Sequence, residues 1–167
     1  MKYLKYFLFG GMVMVFFSLT SSRTSRISEG IYPGSLIPEL KVMDRLGNKQ
    51  FDIHDLKGKK VLINFWAAYD AESHRQNIVL HNTLKEKEYQ VTMVSVSFDE
   101  NESVFDKTLI IDGLDKDGQY VDTRGEKSGV YQKFQLKKGF KNYLIDENGT
   151  IVAMNVSPGD LNRLLKS

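Results

Sequence analysis

The sequence predicts an α/β protein with a central mixed β-sheet flanked by helices, and three observations lead there. Residues 61–66 (VLINFW) and 91–98 (VTMVSVSF) are runs of apolar, β-branched and small residues, the pattern of strands buried on both faces. Each is followed by a stretch with helix-forming composition, 71–88 and then 99–114. Near the C-terminus an Asn148-Gly149 corner separates two short apolar runs, which makes an antiparallel hairpin and hence a mixed sheet.

Each element follows in chain order. Residues 1–22 (MKYLKYFLFGGMVMVFFSLTSS) have a short basic start at Lys2 and Lys5 and an apolar run from Tyr6 to Leu19. Small residues follow, as in a cleaved export signal, and the run is shorter than the ~18 residues of a membrane span. The reading is therefore a signal peptide over 1–22 and a flexible lead-in over 23–30. A single folded unit occupies 31–167, exported and most simply periplasmic, or membrane-anchored if the first segment is retained. Residues 40–43 and 50–53 form an N-terminal hairpin around the turn 44–48. After the loop 55–60 comes the strand 61–66. The helix 71–88 carries Ile78, Val79, Leu80 and Leu84 on its apolar side. The strand 91–98 precedes a helix over 99–114, with Val104, Phe105, Leu109 and Ile110 at helical spacing. Residues 112–122 (DGLDKDGQYVD) read as a turn-rich loop, and 127–134 as a short helix. The hairpin 143–152 follows, and Pro158-Gly159-Asp160 leads into a last helix bearing Leu161, Leu164 and Leu165.

Composition excludes several classes of function. The chain has 167 residues, is 41% hydrophobic, and carries ten Phe and eight Tyr, enough for one core and too apolar for disorder. A formal charge of +2 offers no basic footprint for nucleic acid. Loss of residues 1–22 removes two lysines and no acid, which leaves zero. There is no cysteine, so disulfides, thiolate nucleophiles, Cys-ligated zinc, iron–sulfur sites and lipid-modified cysteines are all absent.

Residues 31–74 (YPGSLIPELKVMDRLGNKQFDIHDLKGKKVLINFWAAYDAESHR) resemble the exported thiol–disulfide oxidoreductases of the thioredoxin superfamily, of TlpA/ResA-like type. The carrying features are Pro-Gly-Ser and Ile-Pro near the start, Asp55-Leu56-Lys57-Gly58-Lys59, and Leu62-Ile63-Asn64-Phe65-Trp66-Ala67. Val94-Ser95-Val96-Ser97 and Tyr143-Leu144-Ile145-Asp146-Glu147-Asn148-Gly149 extend it to about residues 31–165. The resemblance implies a thioredoxin fold with an N-terminal β-hairpin extension. It also implies a Trp-Cys-x-x-Cys segment where this chain has Tyr69-Asp70-Ala71-Glu72-Ser73. The two redox cysteines thus correspond to Asp70 and Ser73, and the family's cis-proline to Phe140. A non-proline peptide prefers trans by ~3 kcal/mol, so the loop carrying Phe140 is expected to differ in shape.

The resemblance places Asp70 at a helix start, where unpaired N–H groups and the dipole favour a thiolate in the family. Asp is a strong N-cap for the same reason, and it supplies the negative charge by itself. Ser73 lies one turn on, with no activating base in evidence, so the exchange turns a reactive site into a cap. Ser73 and His74 with Asp70 have the residue types of a hydrolase triad, but adjacent helical residues diverge by about 100°. His74, His81 and Glu88 recur every seven residues, ~10.5 Å apart along a helix, too far to share an ion; they read as a solvated stripe, and His54 as surface. Residues 112–122 lack the ligand spacing of an EF-hand.

No catalytic residue, cofactor or metal is expected. The expected function is a redox-inactive binding or accessory module of the cell envelope. It would use the degenerate groove around Trp66, Tyr69, Asp70, Ser73 and Phe140 to hold a polypeptide, as the resemblance implies for active members. Packing at the sheet's end is the simpler reading of Trp66, and Tyr69 with Phe140 the more exposed surface. Lys137, Lys138 and Lys141 form a small basic cluster beside Phe140, a solvated loop or a weak contact for an acidic partner. The alternatives are an oxidoreductase, which the absence of sulfur nucleophiles opposes, and a purely structural domain.

Overall fold

A computed structural model describes residues 27–43, 49–87 and 89–165 of the chain. The signal-peptide segment 1–22, most of the lead-in and the turn 44–48 lie outside the described residues. Among the described residues no helix is long and apolar enough to cross a membrane.

The core is a five-stranded sheet in the order β5-β4-β3-β6-β7. Its strands are β3 (Val61–Trp66), β4 (Thr92–Ser97), β5 (Gln119–Val121), β6 (Asn142–Ile145) and β7 (Ile151–Met154). β3 pairs parallel with β4 and antiparallel with β6, β4 with β5 is parallel, and β6 with β7 is antiparallel. The mixed sheet expected from the hairpin at Asn148-Gly149 is therefore present. A separate two-stranded sheet joins β1 (Lys41–Met43) to β2 (Lys49–Asp52), the expected N-terminal hairpin.

β3 is central and all six of its residues are buried, because layers cover both faces. Val61, Ile63 and Phe65 share one core with Val94, Val96, Tyr143 and Ile145. That core is closed by β1, β2 and the short helix α3 (Gly129–Lys133), through Val42, Phe51, Val130 and Tyr131. On the opposite face Leu62 and Leu144 meet Leu80 of α1 (Ala71–Lys87) and Leu161 of α4 (Pro158–Leu165). Trp66 packs with Phe105 and Leu109 of α2 (Glu102–Asp112). Alternate β3 residues thus serve different cores, which is why the sequence shows a continuous apolar run.

The structure corrects the sequence at several points. Residues 112–122 end in a strand, β5, parallel to β4 and not foreseen. Three residues between Gly118 and Asp122 are too few to display a period of two. α2 begins at Glu102, after Asn101, whose side chain accepts the Ser103 N–H at 3.0 Å. Asp99, placed at a helix start by the sequence, is buried at the end of β4 instead. The domain also takes in the end of the lead-in, since Leu36 N–H donates to Ser28 O at 3.0 Å and Gly30 N–H to Leu36 O at 3.0 Å.

Candidate functional site: a capped helix start beside an aromatic groove

β3 ends at Trp66, and the chain reaches α1 through residues 67–70. Asp70 caps α1. Its Oδ1 accepts the Ser73 N–H at 2.8 Å, and its carbonyl accepts the His74 N–H at 2.9 Å. Ser73 faces inward and is buried. Its hydroxyl donates to Asp70 O at 3.2 Å and accepts the Ala67 N–H at 3.4 Å. The Asp70 carboxylate and the Ser73 hydroxyl are therefore both occupied with backbone, which is the cap that the sequence predicts.

A second carboxylate clamps the same loop from β4. Asp99 accepts the Ala68 N–H at 3.0 and 3.1 Å and the Ser97 hydroxyl at 2.6 Å. Between the two clamps the turn is tight, and Tyr69 is turned outward with 64% of its surface exposed. Phe140, half-buried, stands 6.2 Å away between ring centroids. Phe140 also stacks on Phe98 at 6.2 Å and meets Tyr131 edge-on at 6.1 Å. The Asp70 cap is thus bordered by one exposed and one half-exposed aromatic ring, supported by two buried ones. Among the described residues every peptide bond is trans, the Gly139–Phe140 bond included, in keeping with the expectation for a non-proline residue there.

The electrostatics are those of carboxylates around a phenol. The Tyr69 hydroxyl is pushed up to about 12, first by partial burial and then by Tyr131, Asp99, Glu126 and Asp70 nearby. Tyr131 is raised as well, by burial and by Glu126, to which its hydroxyl donates at 3.5 Å. An open hollow of about 580 Å³ adjoins Tyr69, with Ala68, Val104, Asp99, Glu100, Gly125 and Glu126 among its lining residues.

Two expectations are corrected. Trp66, named among the contact residues, is completely buried and offers no surface; as the last residue of β3 it belongs to the core with Phe105. His74 is only partly solvated: its ring stacks on Trp66 at 5.6 Å, and its Nε2 lies 2.6 Å from Asp112 Oδ2 at the end of α2. The Ser73 hydroxyl has Asp70 O and the Ala67 N–H as partners, while His74 turns to Asp112, so the residues of the triad pattern point to different places. His81 lies two turns along α1 and Glu88 lies outside the described residues. Among the described residues no three His, Asp or Glu side chains converge as a metal site. Sequence reasoning missed Asp99, Asp112 and Glu126. Only Asp99, directly after the apolar run that ends at Phe98, stands where a strand-end residue could have drawn notice.

No family model matches the chain. In sequence it is similar to the thioredoxin-like protein YneN of Bacillus subtilis, with 26% identity over 133 residues, 79% of this chain and 76% of that protein. In structure it is similar to a thioredoxin-like protein from Parabacteroides distasonis, with 38% identity and a TM-score of 0.72 over 85% of this chain and 100% of that one. The thioredoxin domain of a thiol–disulfide oxidoreductase from Bacteroides vulgatus gives 25% identity and a TM-score of 0.66, over 82% and 97% of the two chains.

Proposed function

Because the chain belongs to the thioredoxin-like superfamily, of TlpA/ResA-like type, and contains no cysteine, we propose that it is a redox-inactive binding module. It holds an extended polypeptide across the groove at Tyr69 and Phe140. One observation carries this reading: Asp70 and Ser73, which the resemblance aligns with the family's redox cysteines, form a satisfied helix cap, while the exposed Tyr69 ring stands beside the half-buried Phe140. A cap needs no exposed Tyr69. A large aromatic ring left in water beside a second one is the kind of anchor that binding surfaces use. Export to the periplasm is part of the proposal and is supported by the pattern of residues 1–22.

Dithiol turnover needs a sulfur nucleophile, and the sequence supplies none. The purified chain should therefore leave insulin disulfides unreduced in the presence of dithiothreitol, beyond the rate of the reductant alone. Binding is tested by selecting a displayed library of random short peptides on the immobilised protein. The expected result is a set of binders that lose at least about tenfold in affinity to Tyr69→Ser and to Phe140→Ser, the scale of one aromatic hot spot. They should retain affinity for Val152→Ser, a change at an exposed apolar residue on β7. A library that yields no binder dependent on Tyr69 or Phe140 overturns the reading.

A further inference from the structure

The hollow beside Tyr69 has a definite chemical character. Its apolar lining residues are Ala68 from the loop, Val104 from α2 and Phe98, together with the Tyr69 ring. Its charged lining residues are all acidic: Asp99, Glu100 and Glu126. Asp99 is committed to the Ala68 N–H and the Ser97 hydroxyl, which holds its carboxyl group in one place. Glu126 is exposed.

The backbone shapes this wall. Gly125 has φ +55°, and a Cβ there would come 2.8 Å from Glu100 Cγ, so the glycine lets the Glu100 side chain lie close along the loop. The neighbouring cation is turned away: Arg124 donates from Nε at 2.8 Å and from Nη2 at 2.6 Å to the fully buried Asp122. Asp122 also accepts the Ser128 hydroxyl at 2.5 Å, which pins the segment 122–128 in place. A hollow lined by Ala68, Val104 and the Tyr69 ring, whose charged lining residues are all carboxylates, complements a long aliphatic stem that ends in a cation.

We propose that this hollow receives a lysine or arginine side chain of the polypeptide that lies across Tyr69 and Phe140. The inference rests on the binding reading above and adds a specificity to it. The stem lies along Ala68 and Val104, and the cation sits at the exposed Glu126 beside the Tyr69 ring, within the field of the buried Asp99. The main chain of the partner continues toward Phe140.

The test uses the peptides recovered by selection on the intact protein. They should carry lysine or arginine at one fixed position. Acetylating that lysine, or replacing that arginine by citrulline, should weaken binding about tenfold, the scale of a charge-assisted contact. On Glu126→Gln, a substitution at an exposed site, the same modification should cost far less. Affinity should also fall as salt is raised. Peptides that need Tyr69 and Phe140 but show no basic preference overturn this inference and leave the binding reading standing. So does recovery of acidic peptides that depend on Lys137, Lys138 or Lys141. Displacement of the basic peptides by spermidine or calcium at equal concentration marks a site for free cations, and likewise overturns it. A library with no Tyr69-dependent binder removes the binding reading itself.

Discussion

Asp70 stabilises α1 through a side chain and a backbone carbonyl together, by accepting the N–H groups of Ser73 and His74. Removing the carboxylate leaves the Ser73 N–H without that partner at the first turn, next to a buried hydroxyl. Asp70→Ala should therefore cost about 1 kcal/mol, read as a lower urea midpoint at unchanged slope. Asp70→Asn should recover most of it, since the amide oxygen can still cap. This residue and Ser73 are legible in the sequence because they fall in a pattern of fixed spacing after β3. The roles of Asp99 and Asp112 are not legible, because what matters about them is a contact made across the fold. Asp99 meets Ala68 from 31 residues away, and Asp112 meets His74 from 38. Neither separation has a period that a sequence displays.

α1 shows what an element adds to its residues. Its expected span, 71–88, agrees with the observed Ala71–Lys87, because the run is long and contains neither glycine nor proline. The stripe of histidines expected on its solvent side is different in kind. His74 is covered by Trp66 and Asp112, and His81 is half-buried beside Lys85. Burial first, and Lys85 second, lower the His81 pKa below the ordinary value of 6.5. In the folded state the proton is thus bound less tightly than in the unfolded chain. The folded state is favoured fully above about pH 6.5, and this contribution is lost as the pH falls through the lower folded pKa. His81→Gln should remove that part of the acid sensitivity. Urea midpoints of the two proteins, compared across the range from about pH 7.5 down to 5, should converge toward or cross at the acid end. Parallel curves contradict the assignment. β5 is the counterexample at this scale: it exists because Ser95, Val96 and Ser97 of β4 offer an edge to Gln119, Tyr120 and Val121, which the local sequence does not reveal.

At the scale of the whole molecule the architecture was the most legible part, since it depends on the total pattern of apolar runs and turn signals. Phe65 stands at its centre, completely buried in β3, with Phe98, Phe134 and Tyr143 at ring distances of 5.8, 4.8 and 6.1 Å. Those partners come from the end of β4, the segment after α3, and β6, so one ring ties three separate parts of the chain to the central strand. Phe65→Ala should cost about 3–5 kcal/mol. Trp66, the single tryptophan, is its neighbour and faces the other core. Its emission and the far-ultraviolet circular dichroism should report one common transition if the two cores unfold together. Separated transitions in the variant would show that the faces of the sheet melt independently.

The segment from Gly34 to Ile37 has an effect on how these molecules meet one another. Gly34 and Ser35 exchange hydrogen bonds with Ile151, Leu36 bridges Thr150, and Ile37 bonds to Gly149. The beginning of β7, an outer strand, is thereby occupied by the protein's own N-terminal backbone. Bare strand edges invite strands from other molecules and seed aggregates. A stretch of chain outside the five-stranded sheet thus works as a guard rail, denying that end of the sheet to a second copy and favouring the soluble state over fibrillar stacking.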